Sequence, residues 1–188
     1  SRGGVESLRN AFSELGEGLA YVRQTGPILA LFLLIVAHCS LTMSFDAMLP
    51  GFADAGLHSS EGAFTAMTVG VGMGAMIGTF TLSWLAGWRR GPLFLVMGFT
   101  SGLSPMLMAL SMEVETATAS ATLMGASQAM FMALAAVLIQ EVVPDGIRGR
   151  VMSLYLMSAG GIMAMANLAF GTLADRWGAP PLFFAPGA

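Results

Sequence analysis

The stretch Val143-Pro-Asp-Gly-Ile-Arg-Gly-Arg-Val-Met-Ser-Leu-Tyr-Leu-Met157 sets two arginines, Arg148 and Arg150, at the threshold of a long apolar run. Another apolar run, Ala117–Ile139, precedes it. The chain has 188 residues, and its eight basic residues are all Arg. Only 10% of the residues are charged against 55% hydrophobic, with a mean hydropathy of +0.74. A soluble domain carries about 25% charged residues to cover its water-facing surface. This chain cannot make such a surface. Lipid is its solvent, and the arginine stretch reads as a turn between two membrane spans.

A transmembrane helix needs roughly 20 apolar residues to cross about 30 Å of hydrocarbon. Working outward from the arginine turn, five runs meet that length: Ile28–Leu49, Ala63–Leu85, Leu93–Met112, Ala117–Ile139 and Val151–Leu173. Short polar or turn-rich pieces separate them. A sixth run opens with Pro181-Leu-Phe-Phe-Ala and reaches only Ala188. Eight helical residues extend about 12 Å, so the expectation is a chain that stops inside its last span, a fragment. The runs are continuous and lack the two-residue alternation of barrel strands. The fold class expected is an all-α membrane protein with five complete transmembrane helices and a truncated sixth.

Arginines orient the spans. With five crossings, Arg2, Arg9, Arg23, Arg89, Arg90, Arg148 and Arg150 fall on one side and Arg176 alone on the other. The positive-inside asymmetry predicts a cytoplasmic N-terminal segment and cytoplasmic arginine loops. Residues 1–27 lack a secretory signal pattern, and Val5, Leu8, Phe12, Leu15, Leu19 and Val22 recur at helical spacing. They read as a cytoplasmic amphipathic linker lying along the interface. Gly16 and Gly18 weigh against a single unbroken helix there. Residues 28–188 form the transmembrane bundle.

Polar groups inside apolar spans are costly and are functional candidates by default. His38, Thr42 and Asp46 are spaced i, i+4, i+8 in the first run, so one continuous helix would put them on one face. A His and a carboxylate so placed can exchange protons, against the plainer reading of a solvated helix end and a histidine bonded to a neighbouring helix. Gln128 and Asn167 are candidates to line a substrate cavity, or to bond helix to helix. Gly70, Gly74 and Gly78 share one face of the second run, a pattern for close helix packing or for a sliding surface. Pro144 is expected to end the fourth helix and Asp145 to cap the fifth. Arg148 and Arg150 then serve topology and lipid head-group contact or, within reach of Glu141 or of acidic groups on the absent half, act as a latch in a cytoplasmic gating loop.

Other classes find little support. The single Cys39 excludes an internal disulfide, and neither a metal site nor a cofactor motif is present. No Gly-x-Ser-x-Gly, His-Glu-x-x-His or phosphate-loop pattern occurs, so no enzyme is expected. The small formal charge of −3 does not point to nucleic acid. A membrane scaffold or signalling subunit with packing-only helices is the alternative from another class.

The run Pro144-Asp-Gly-Ile-Arg148-Gly-Arg150-Val-Met-Ser-Leu-Tyr, followed by Gly171-Thr-Leu-Ala-Asp175-Arg176-Trp-Gly178, resembles the C-terminal half of major facilitator superfamily transporters. The similarity is to the bacterial drug and siderophore exporter branch, including enterobactin exporter-like and macrolide efflux-like proteins. Gly18-Leu-Ala-Tyr-Val-Arg23, Leu49-Pro50 and the glycine-rich second run fit the same order. The resemblance implies helices seven to eleven and the start of twelve, and a partner in the N-terminal six-helix half of the same protein. It further implies alternating-access export of a small molecule coupled to protons across the bacterial inner membrane. The degenerate loop Leu85-Ala-Gly-Trp-Arg-Arg90-Gly keeps only the basic residues of the family's diagnostic loop pattern.

Overall fold

The computed structural model describes the backbone of residues 2–55, 57, 61–85 and 87–177. It describes the side chains within those ranges from residue 13 onward, except at 44, 46, 47, 55, 61, 174, 175 and 177. The run that begins at Pro181 lies outside the described residues. Everything described is helix or short turn: α1 (Arg2–Gln24), α2 (Gly26–Leu41), a 3-10 segment (Met43–Met48), α3 (Leu49–Ala55), α4 (Glu61–Trp84), α5 (Arg90–Ala109), α6 (Val114–Val142) and α7 (Asp145–Trp177). It is an all-α membrane protein. Among the described residues four helices are long and apolar enough to cross a bilayer, at Gly62–Trp84, Arg90–Ala109, Val114–Val142 and Asp145–Leu173, with a fifth span if the bent pair Ser13–Gln24 and Gly26–Leu41 counts as one. The helices of the fourth and fifth runs extend past both ends of the apolar stretches, whereas those of the second and third stop short of Leu85 and Met112.

The first span departs from expectation. It is not one helix over Ile28–Leu49; α2 stops after 16 residues, and the chain tightens into the 3-10 segment before α3. Two prolines frame this behaviour. Pro27 has no N–H to give the carbonyl of Arg23, so α1 cannot run through it, and Thr25 leaves helical geometry at φ −106° and ψ 96°. The axes of Ser13–Gln24 and Gly26–Leu41 then meet at 106°. Pro50 likewise has no N–H for the carbonyl of Asp46, but it fits the first turn of α3, so winding restarts at Leu49.

Two core clusters show that this broken segment still crosses the bundle. At the arginine-rich end, Val22, Ile28, Phe32 and Ile35 pack with Phe94, Phe131, Ile139, Val151 and Tyr155. At the other end, Phe45, Met48, Leu49 and Phe52 pack with Met67, Met108, Ala121 and Met124. The chain passes from one cluster to the other between Cys39 and Phe45.

α6 is the axle. Half of its apolar window is buried, against 11% for α7, and it packs along both α4 and α5. α7 lies beside α2 and the 3-10 segment. Tyr155 ties α7 to α6, its hydroxyl donating to the carbonyl of Met132 at 3.1 Å. α1 is a helix, as the spacing of its apolar residues predicts, and it continues through Gly16 and Gly18, of which Gly18 has a packing reason. A Cβ there would lie 3.3 Å from the backbone oxygen of Arg150, so glycine lets α1 settle on the start of α7.

Candidate functional site

Polar groups gather where the first span breaks. Thr42 donates its N–H to His38 O at 2.9 Å, closing α2. Its own carbonyl receives a 3-10 bond from Phe45 N at 3.4 Å and a second bond from Gln128 Nε2 of α6 at 3.3 Å. In hydrocarbon a free carbonyl costs several kcal/mol, so a buried amide facing a helix break meets a definite need. Gln128 and Thr42 are both buried.

One turn earlier, His38 is 6% exposed and its ring stacks on Phe131, centroids 3.8 Å apart at 25°. Phe131 in turn stacks on Phe94 at 4.3 Å and 23°. This three-ring column joins α2, α6 and α5. Gly98 of α5 makes room for it, because a Cβ there would meet the Phe131 ring at 3.0 Å. His38 and Thr42 border a cleft of about 180 Å³ that Gly98, Gly102 and Phe131 also line. Nε2 of His38 is shielded from solvent and has no hydrogen-bond partner among the described residues.

Of the expected set, the fold therefore joins His38, Thr42 and Gln128. The expected α-helical register through Asp46 is wrong: Asp46 sits in the 3-10 segment, beyond the end of α2, and its side chain lies outside the described residues. Asn167 is on α7, half-buried, with Oδ1 shielded and unpartnered among the described residues, and it does not line the cleft. Phe94, Gly98, Gly102 and Phe131 belong to the site although none was expected there. Gly98 and Gly102 carried a usable signal, the same four-residue spacing that marks Gly70, Gly74 and Gly78.

The glycines of α4 form a seam with α6. A Cβ on Gly74 would fall on the carbonyl of Thr122, and one on Gly78 would lie 2.5 Å from the carbonyl oxygen of Ala126. Gly125 reciprocates from α6, where a Cβ would strike the carbonyl of Val71. Backbone meets backbone here.

The arginine-rich end is paired differently from expectation. Glu141 is held by Arg90 of α5, not by Arg148 or Arg150. Arg150 instead pairs with Glu17 of α1, which nothing in the sequence had marked as a partner. Asp145 opens α7 and pairs with Arg148 one turn on, and Arg148 Nη2 donates to Val143 O at 3.2 Å. Pro144 ends α6 as expected, with Val143 extended before it at φ −84° and ψ 128°.

A family model described as transmembrane secretion effector, of the major facilitator type, matches residues 5–185. The chain belongs to that family. No curated protein and no solved structure matches it. A transmembrane secretion effector of this type is a multi-pass membrane protein of a transporter family. Discontinuous helices at membrane depth are where transporters expose backbone groups to substrates and ions. The first span of this chain is broken at Thr42, with His38 and Gln128 beside the break.

Proposed function

We propose that the chain forms a transport bundle of an exporter that moves a small molecule out of a bacterial cell by alternating access, driven by protons and working against a second six-helix bundle. The observation that carries this reading is the broken first span, with the Thr42 carbonyl held by Gln128 and His38 Nε2 left without a partner among the described residues. An imidazole there takes up a proton on one nitrogen and passes it on from the other. The Gln128 amide responds to any unwinding at Thr42. Asp46, in the same 3-10 segment, is the carboxylate of the pathway, and Asn167 a wall of the substrate route. The family description, a secretion effector, supports the outward direction. The distribution of arginines supports an N-terminal segment and an arginine-rich end that face the cytoplasm of an inner-membrane protein.

On this reading the ion pairs Arg90–Glu141, Arg148–Asp145 and Arg150–Glu17 brace the cytoplasmic gate. Each is partly exposed and worth at most about 1 kcal/mol, so together they bias the gate without locking it.

The test is proton-driven uptake of ethidium, as a probe cation, into everted membrane vesicles. His38→Gln, Asp46→Asn and Gln128→Ala are each expected to reach the membrane at wild-type abundance and to lose gradient-driven uptake. Wild-type uptake with unchanged pH dependence in all three would overturn the assignment of coupling to this break.

A further inference from the structure

The turn between α4 and α5 carries a feature separate from the polar cleft at His38. Leu82 and Leu85 at the end of α4, Leu93 of α5 and Leu134 and Val137 of α6 wall an apolar notch of about 160 Å³, and Arg90 stands at its rim. Glu141 neutralises Arg90 and holds it there. The neighbouring Arg89, just outside the lining, is exposed and has no carboxylate partner among the described residues, so the turn beside the notch keeps one uncompensated positive charge. Trp84 and Trp88 flank the turn at 91% and 66% exposure. Indoles so placed belong at the level of lipid headgroups, polar edge to water and ring to hydrocarbon. A notch just below that level faces acyl chains, and its rim faces phosphates.

We infer that this turn is a binding site for one anionic phospholipid, its phosphate at Arg89 and the rim of Arg90, and the upper part of one acyl chain in the notch. Arg supplies a planar fork that grips phosphate through two donors. Zwitterionic lipid offers the same phosphate but brings a cation beside Arg89, so charge selects the anionic class. The inference does not depend on the transport reading: the notch shares no lining residue with the cleft at His38, and its occupancy is read without turnover.

The experiment uses the chain in nanodiscs with Trp177→Phe, leaving Trp84 and Trp88 as reporters. Acyl-brominated phosphatidylglycerol is expected to quench them at about fivefold lower mole fraction than acyl-brominated phosphatidylcholine, the factor one basic residue near a lipid surface supplies. Arg89→Gln should remove the preference, whereas Arg89→Lys should keep part of it. Val137→Phe, which fills the notch, should weaken quenching by phosphatidylglycerol while leaving the emission maximum of a folded protein. Inorganic phosphate at matched ionic strength should not restore the unquenched signal; if it does, the site takes free phosphate and the lipid assignment is wrong. Equal quenching by the two lipids, or a preference that survives Arg89→Gln, would also overturn it.

Discussion

The side-chain amide of Gln128 donates to the main-chain carbonyl of Thr42 across 86 residues of sequence, at the point where the first span ceases to be α-helical. A helix end inside a bundle leaves carbonyls without partners, and lipid offers none. Gln128 is placed on α6 to meet one of them, so the break is built in by two spans together.

Gln128→Leu keeps the bulk and removes the donor. Interhelical hydrogen bonds in membranes are worth about 0.6 kcal/mol on average and up to about 1.7. The expected outcome is a loss within that range in reversible unfolding of the reconstituted chain. No loss, with the Phe45 amide still protected from hydrogen exchange, would mean that its bond to the Thr42 carbonyl suffices.

The seam between α4 and α6 predicts a contrast between neighbouring glycines. Gly74→Ala puts a methyl on the backbone of Thr122 and should cost about 1–3 kcal/mol, as overpacking does. Gly72 has open space where a methyl would go, so Gly72→Ala should stay within about 0.5 kcal/mol of wild type. Equal thermal stability of the two variants would show that the helices separate easily and would favour a sliding surface.

Docking of α1 on α7 rests on Gly18 and on the pair Glu17–Arg150. Glu14 and Ser153 line the same crevice between these helices, so a Glu14→Cys, Ser153→Cys pair should cross-link readily. Adding Gly18→Leu should sharply reduce the yield. Glu17→Gln should reduce it only slightly, because an exposed pair contributes at most about 1 kcal/mol. A yield insensitive to Gly18→Leu would show that α1 is held elsewhere.

Orientation is open to a direct measurement. Reporters fused after Arg90 and Arg150 are expected to read cytoplasmic, and those after Ala55 and Glu115 external. A cytoplasmic signal at Glu115 would contradict the alternation of spans, since α5 and α6 meet at that turn.

The amino-acid sequence by itself determined the class of solvent, the four long spans and the end of the bundle at which arginine collects. Those follow from composition and run length, which lipid reads locally and without reference to partners. It also marked the α4 seam, because glycines at four-residue spacing leave a smooth helix face whatever lies opposite. Tertiary structure alone decided the rest. The run Ile28–Leu49 is apolar on average, although His38, Ser40, Thr42, Ser44 and Asp46 interrupt it, and average hydropathy cannot register a change of winding within it. The break leaves an acceptor at Thr42 that Gln128 satisfies from a distant span. The partners of Arg90 and Arg150 were likewise illegible. Arginine spacing between the apolar runs gathers these residues at one end of the bundle, but which carboxylate each meets depends on how close Gly18 lets α1 approach and on where α5 and α6 end.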